Sequence, residues 1–213
     1  MLPASLYYIS QVNHDCNVGI PVRSLVSTID GMIYLHYGVI YLDLWEIERE
    51  LAGKGFRVIC GVDEAGRGPL AGPVYAAAVI LPFGIDIPGL NDSKKLSEKV
   101  RGRLYDEIIE KALAYCVASA DHMEIDELNI LRATFLAMNR AIQKLGDARP
   151  DIILIDGNRA PDTDIRHKCI IGGDGKSASI AAASILSKVS RDRFMTEMAI
   201  KYPQYAFDKH KGY

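Results

Sequence analysis

The stretch RVICGVDEAGRGPLAGPVYAAAVIL, residues 57–81, contains two apolar runs separated by an acidic, glycine-rich turn. The first run, residues 57–62, predicts a short strand, because it is rich in β-branched residues and a turn follows it. The second run, residues 74–81, contains no charged residue and predicts a strand that is buried on both faces. The stretch therefore predicts two neighbouring strands, with Asp63 and Glu64 where the first strand ends.

Further strands and helices are predicted outside this stretch. Short apolar runs predict three more strands, at residues 115–120, 151–155 and 169–171. Apolar residues at helical spacing predict four helices, at residues 44–51, 98–113, 130–145 and 178–201. Adjacent strands followed by alternating strands and helices are typical of a mixed sheet with helices on its faces, so we expect the α/β class. Residues 44–213 form one predicted domain, and residues 1–43 show little periodicity and receive no functional assignment.

The composition is that of an ordinary globular protein, with 49% hydrophobic residues, 24% charged residues and a net charge of −2. The charge is unevenly distributed, because residues 165–213 contain nine Lys or Arg against four Asp or Glu. Such a local excess fits either a solvated face or contact with a polyanion. The net charge alone therefore does not indicate a nucleic-acid partner.

The four cysteines lie far apart, without the paired spacing of a zinc site. Cys60 and Cys116 lie within apolar runs and fit small core residues, which favours a reducing compartment. The longest apolar run near the start, residues 31–42, is too short to span a bilayer, and no secretory leader pattern is present. We therefore expect a cytoplasmic protein with no membrane partner.

Three turns that carry acids follow apolar runs. Asp63-Glu64 and Asp156 end predicted strands, and Asp174 lies in GGDGKS, residues 172–177, before the Ala-rich helix. Each acid taken alone also fits a helix cap or a turn. Active residues of open α/β sheets gather at strand ends, however, and converging carboxylates repel one another unless cations neutralise them. Oxygen-only ligands select Mg²⁺ or Mn²⁺, and two such ions about 3.5–4 Å apart suit phosphodiester hydrolysis.

Asp63 and Glu64 are adjacent, which constrains how they share a site. Neighbouring residues in a regular strand point to opposite faces of the sheet. Both side chains can face one site only if the strand bends at this point, and the glycines that follow make a bend easy. We therefore expect the strand to bend at Asp63-Glu64.

The glycine-rich turns also resemble nucleotide-binding loops. Residues 66–71, GRGPLA, match the G-x-G-x-x-[GA] dinucleotide pattern, but that pattern must open a helix and residues 74–81 indicate a strand. The two acids before the turn would also repel a pyrophosphate. Residues 175–177, GKS, resemble the end of a P-loop, but Ile170 stands where that loop requires glycine. We therefore expect no dinucleotide cofactor and no P-loop.

Six motifs occur in order between residue 63 and the last residue. They are DEAGRG (63–68), NDSKKL (91–96), IDG (155–157), GDGK (173–176), AAASI (181–185) with Lys188 and Arg191-Asp192, and KHKGY (209–213). Together they closely resemble type 2 ribonuclease H (ribonuclease HII), and the resemblance extends from about residue 44 to the end of the chain. Each motif alone is weakly specific, whereas six in order form a strong signal.

The resemblance implies a ribonuclease H-like mixed sheet flanked by helices and a phosphodiester hydrolase with two Mg²⁺ or Mn²⁺ ions. The implied catalytic and metal-binding residues are Asp63, Glu64, Asp156 and Asp174. The implied substrates are RNA·DNA hybrids and duplex DNA that contains ribonucleotides. The implied cut lies 5′ of the ribonucleotide, as in ribonucleotide excision repair, and leaves a 3′-hydroxyl and a 5′-phosphate.

The resemblance also implies a set of substrate-binding residues: Gly66, Arg67, Gly68, Lys94, Lys176 and Tyr213. The backbone of the Gly-Arg-Gly turn would sense the ribose 2′-hydroxyl, and Tyr213 would complete this recognition at the RNA–DNA junction. The 2′-hydroxyl is the group by which a protein distinguishes RNA from DNA. The two lysines match family positions near the substrate backbone, although each also fits an ordinary surface lysine.

Two features differ from the family pattern. The chain ends at Tyr213, where family members usually continue into helical structure, so residues 44–213 are expected to form a catalytic domain truncated at its C-terminus. Residues 1–43 match nothing in the pattern. A protein that binds hybrids without cutting them therefore stays an alternative. Type 3 ribonuclease H is the nearest related family, but we expect Gly-Lys-Gly there in place of Gly66-Arg67-Gly68, and no KHKGY motif.

Overall fold

A computed structural model describes residues 43–213 of the chain. The strands are β1 (Ile59–Ala65), β2 (Val74–Ile80), β3 (Ala114–Ala120), β4 (Ile152–Asp156) and β5 (His167–Ile170). The helices are α1 (Glu46–Gly53), α2 (Glu98–Lys111), α3 (His122–Leu128), α4 (Ile130–Gln143), α5 (Ala178–Lys201) and α6 (Phe207–His210). The expectation for the N-terminal segment, residues 1–43, lies outside the described residues except for Asp43.

The five strands form one mixed sheet in the order β3-β2-β1-β4-β5. β1 is antiparallel to β2, and β2 is antiparallel to β3, whereas β1–β4 and β4–β5 are parallel pairs. Val62 of β1 lies opposite Ile155 of β4. The next residues, Asp63 and Asp156, therefore lie side by side at the ends of two neighbouring central strands. The expected α/β class with a mixed sheet is confirmed.

Helices cover both faces of the sheet. On one face, α4 packs Ala137 and Met138 against side chains that include Val62 of β1. On the other face, α5 and α2 pack against the alternate residues of β2, Ala77 and Val79. Successive side chains of β2 point alternately into these two buried faces. This burial on both sides explains why β2 carries no charged residue.

The N-terminal end of α5 lies against the backbone of β1. A side-chain carbon at Gly61 would lie 2.1 Å from the carbonyl carbon of Ser179, so only glycine fits there. This close approach brings the turn before α5, which carries Asp174, next to the end of β1. The sheet and α5 together therefore place the acid-bearing turns near one another.

The structure differs from the sequence-based predictions at β1 and α3. The expected bend at Asp63-Glu64 is wrong, because β1 continues in register with β2 through both residues to Ala65. The chain instead turns at Gly66, whose φ is +109°. α3 was not predicted, since it has only seven residues and begins at a capping box formed by Asp121 and Glu124. Among residues 43–213, no helix is long and apolar enough to cross a membrane.

Candidate active site

Three carboxylates converge where β1 and β4 end. One oxygen each from Asp63, Asp156 and Asp174 lies within 4.8 Å of the other two. Asp63 and Asp174 are only 3% and 5% exposed, and Asp156 is partly buried. The structure thus brings together one acid from each of the three acid-bearing turns, and we call these three residues the carboxylate cluster.

A hydrogen bond links Asp156 to the turn that carries Asp174. The Gly173 N–H donates to Asp156 Oδ1 at 2.6 Å, which ties β4 to the 3₁₀ turn Gly173–Gly175 that carries Asp174. A side chain at Gly173 would lie 2.6 Å from Ile180 Cδ1 and 3.3 Å from Asp156 Oδ1. The glycine therefore suits the close approach of this turn to β4 and α5, because a larger residue would force Ile180 to shift.

The electrostatics of the carboxylate cluster favour bound cations. Burial raises the pKa of Asp63 well above its usual value, and the charges of Glu64 and Asp156 raise it further. Burial also raises the pKa of Asp174, although Lys94 opposes this shift with its Nζ 3.1 Å from Asp174 Oδ2. Close, buried, oxygen-only donors match the preference of hard divalent cations, so these residues fit such an ion.

Glu64 lies beside the carboxylate cluster without belonging to it. Its Oε1 pairs with Arg67 Nη1 at 3.2 Å, and its side chain is 16% exposed. Burial raises the pKa of Glu64, Arg67 lowers it in part, and the nearby charge of Asp156 raises it. Glu64 is therefore close enough for the charge of Asp156 to affect its pKa, but its carboxylate is directed towards the Gly-Arg-Gly turn.

The C-terminal segment lies against this turn. Gly212 O accepts hydrogen bonds from the N–H groups of Leu70 and Ala71, at 2.9 and 3.2 Å. A side-chain carbon at Gly68 would contact the Tyr213 ring at 3.5 Å, and Tyr213 itself is largely exposed. The structure thus places Tyr213 beside Gly68, next to the site. We call residues 66–73 together with Gly212 and Tyr213 the recognition surface, because the resemblance implies a substrate-binding role for this turn and for Tyr213.

Residues 60–213 match the family model described as Ribonuclease HII. The chain belongs to the ribonuclease HII family. It is 56% identical over 169 residues to the ribonuclease HII of Caldicellulosiruptor saccharolyticus, which covers 79% of this chain and 82% of that protein. It is 60% identical over 156 residues to the ribonuclease HII of Burkholderia thailandensis, with coverages of 73% and 72%. The crystal structure of the ribonuclease H2 from Pyrococcus horikoshii OT3 is similar with a TM-score of 0.62 and 28% identity, over 74% of this chain and 81% of that one.

Family membership confirms the resemblance seen in the sequence. As a ribonuclease HII, the chain is a ribonuclease H hydrolase of RNA–DNA substrates, in a family that depends on divalent metal ions. The dinucleotide-binding alternative is also excluded by the fold, because the glycine-rich turn leads into the strand β2 instead of a helix.

Sequence reasoning assigned no role to Arg191, which connects the two parts of the recognition surface. This side chain is 1% exposed and donates to Pro73 O, Ala71 O and Lys211 O at 3.1, 2.9 and 2.9 Å. One guanidinium thereby holds both the glycine-rich loop and the C-terminal segment of this ribonuclease HII. In the sequence, Arg191 stood out only as part of the Arg191-Asp192 pair among the motifs shared with the family.

The two predicted substrate lysines occupy different surroundings. Lys94 lies in the 3₁₀ turn Ser93–Lys95 and pairs with Asp174, so it contacts the carboxylate cluster. Lys176 follows Asp174 closely in the sequence, but its Nζ donates to Ile171 O at 2.7 Å. The structure therefore brings Lys94 into the site, whereas Lys176 contacts the backbone at its rim.

Proposed function

We propose that this ribonuclease HII is an endonuclease that cuts RNA·DNA hybrids and also cuts duplex DNA on the 5′ side of an embedded ribonucleotide, leaving a 3′-hydroxyl and a 5′-phosphate. Such an activity serves ribonucleotide excision repair. The observation that carries the proposal is the carboxylate cluster, with the recognition surface next to it. The first feature is suited to phosphodiester hydrolysis, and the second to reading a ribose.

The residues that would hold two Mg²⁺ or Mn²⁺ ions are Asp63, Glu64, Asp156 and Asp174. The cluster supplies three of these carboxylates within 4.8 Å, and Glu64 is the next residue of β1. When bound, two such ions supply charge neutralisation at the scissile phosphate and a nucleophile at neutral pH. Glu64 would have to turn from Arg67 towards the cluster to join them.

The chain's own residues would orient the substrate. Backbone groups of Gly66, Arg67 and Gly68 are available to hydrogen-bond a 2′-hydroxyl, the group that deoxyribose lacks. The exposed Tyr213 ring beside Gly68 would pack against the sugar at the RNA–DNA junction. Lys94, which is 75% exposed beyond its contact with Asp174, can bind a backbone phosphate, and Lys176 can do so at the rim.

A cleavage assay tests this proposal. The substrates are a DNA duplex with one ribonucleotide, an RNA·DNA hybrid and an all-DNA duplex, each with Mg²⁺ or with Mn²⁺. We expect metal-dependent cuts in the first two and none in the third, with end-group analysis showing 3′-hydroxyl and 5′-phosphate termini.

The Asp156→Asn variant serves as the control in this assay. Its cleavage should fall to background while its circular dichroism spectrum is unchanged, because only one charged metal ligand is removed. Binding of the single-ribonucleotide duplex without cleavage by the unchanged chain would instead favour the non-catalytic alternative. Near-normal cleavage by Asp156→Asn would contradict the assigned role of the cluster.

A further inference from the structure

Helix α1 lies outside residues 60–213, the part that matches the family model, yet one of its side chains is buried against α5. Glu48 is 1% exposed, although charged side chains are almost never fully buried without a partner. Glu48 has no role in the proposed function of the carboxylate cluster. Its contacts therefore need an explanation.

Glu48 accepts two hydrogen bonds at the start of α5. Its Oε1 accepts from Ser177 Oγ at 2.6 Å and from the Ser179 N–H at 3.0 Å. Among residues 43–213, its other oxygen, Oε2, has no hydrogen-bond partner. The N–H of Ala178 donates to Leu44 O at 2.8 Å, just before α1. The α1 segment thus holds three successive residues at the N-terminus of α5.

Ser177 connects this contact to the carboxylate cluster. Its N–H donates to Gly173 O at 2.9 Å and closes the turn that carries Asp174. The N–H of Gly173 in turn donates to Asp156 Oδ1. A continuous series of hydrogen bonds therefore runs from Glu48 through Ser177 and Gly173 to Asp156, and Asp174 lies within the turn that this series holds.

We propose that Glu48 is a positioning residue for the metal-binding carboxylates: it holds Ser177, and thereby the Gly173–Gly175 turn, so that Asp174 stays within reach of Asp156 and Asp63. Residues that hold metal ligands through hydrogen bonds are needed for full metal affinity, because they fix the orientation of those ligands. This inference rests on the proposed function of the cluster as a metal site. It extends that site to a helix that precedes the family's acid-bearing strand.

The test measures Mn²⁺ binding without substrate, by the electron paramagnetic resonance signal of free Mn²⁺ during a titration. Glu48→Met keeps the approximate length of the side chain but removes the acceptor, and we expect about a 10-fold loss of Mn²⁺ affinity, the lower end for residues that support metal ligands. Glu48→Gln keeps an acceptor oxygen in place of Oε1 and should retain affinity close to that of the unchanged chain. Glu46→Met, on the exposed side of the same helix, is the matched control and should have no effect.

Thermal unfolding in a chelator separates positioning from mere stabilisation. If Glu48→Met lowers the melting temperature but binds Mn²⁺ like the unchanged chain while folded, Glu48 only stabilises the fold and the inference is wrong. If Glu48→Met does not fold, Glu48→Asp replaces it: the shortened carboxylate should weaken Mn²⁺ binding, and unaltered binding overturns the inference. Failure of the unchanged chain to bind Mn²⁺ would instead contradict the proposed metal site itself.

Discussion

The carboxylate cluster and the recognition surface meet at the end of β1 but are held in place in different ways. Asp63 and Asp156 lie on neighbouring strands in the middle of a buried sheet, and their positions follow from strand register. Residues 66–73 leave the sheet. They are held by hydrogen bonds from Arg191 and to Gly212, which lie more than 100 residues away along the chain. The proposed catalytic and recognition functions would therefore depend on different contacts, and variants should be able to damage one without the other.

The largest expected effect comes from Asp63→Asn, which should stop cleavage while leaving the recognition surface intact. Loss of a ligand should cost at least about 100-fold in rate, the upper end for residues that only support ligands. Because the pKa of Asp63 is raised in the folded chain, folding disfavours the charged form of this carboxyl group. The protonated group stabilises the folded chain at low pH, and this stabilisation is lost as the pH rises through the raised pKa. Asp63→Asn should therefore raise the melting temperature at neutral pH in a chelator. A lower melting temperature under these conditions would contradict the electrostatic account.

Arg191→Lys should damage recognition while sparing metal binding. A lysine ammonium cannot match the planar fork that reaches three carbonyl oxygens, so the loop and the C-terminal segment should lose their fixed relation. Misplacement of recognition groups by about 1 Å costs up to about 100-fold, and we expect a loss of about 10- to 100-fold in kcat/KM on a single-ribonucleotide duplex. The Mn²⁺ titration should stay unchanged. A parallel loss of Mn²⁺ affinity would show that the two regions are not separable.

Two alanine substitutions in the same turn should separate fold from recognition. Gly66→Ala combines a φ of +109° with a contact of 2.4 Å to Arg191 Nε, so it should cost roughly 1–3 kcal/mol of stability. A methyl group at Gly68 meets only the Tyr213 ring at 3.5 Å, which is an ordinary contact. Gly68→Ala should keep the melting temperature but reduce the preference for a ribonucleotide over all-DNA duplex. Equal melting temperatures for both variants would show that the Gly66 turn is less constrained than its geometry indicates.

The smallest effect is expected from Glu124→Gln, at a site remote in sequence from both regions. Hydrogen bonds from Arg140 and from the backbone of Asp121 lower the pKa of Glu124 to about 2. This carboxylate therefore contributes stability above its ordinary pKa of 4.5, and that contribution is lost as pH falls towards 2. Glu124→Gln should slightly lower the melting temperature at pH 7, and the difference should vanish in acid. Cleavage and Mn²⁺ affinity should be unaffected, and a change in either would mean that the variant perturbs more than α3.

Sequence reasoning predicted the sheet well because its strands carry strong local signals. The uncharged run 74–81 and the apolar run 151–155 became β2 and β4, with no boundary shifted by more than one residue. The short helix α3 was missed, since its start depends on a two-residue capping box and it lacks an extended apolar stripe. The bend expected at Asp63-Glu64 was wrong because pairing with β2 extends beyond the apolar run.

The candidate site was only partly accessible from sequence. Asp63, Asp156 and Asp174 were identifiable, because each is an acid that follows an apolar run. The contact of Lys94 with Asp174 joins segments 80 residues apart, and no local pattern predicts such a contact. The contacts of Arg191 and Glu48 were equally hidden, since both side chains are buried and hydrogen-bond to backbone far away along the chain.

The sequence by itself determined the strands, the four longer helices, the acids that follow the strands and the family, because these depend on local periodicity and on motifs that are read along the chain. Only the tertiary structure decided which groups meet: three carboxylates within 4.8 Å, Tyr213 against Gly68, and Glu48 behind the turn of Asp174. Those contacts arise from strand register and from the close packing of α5 on β1, where glycine leaves room for a second backbone.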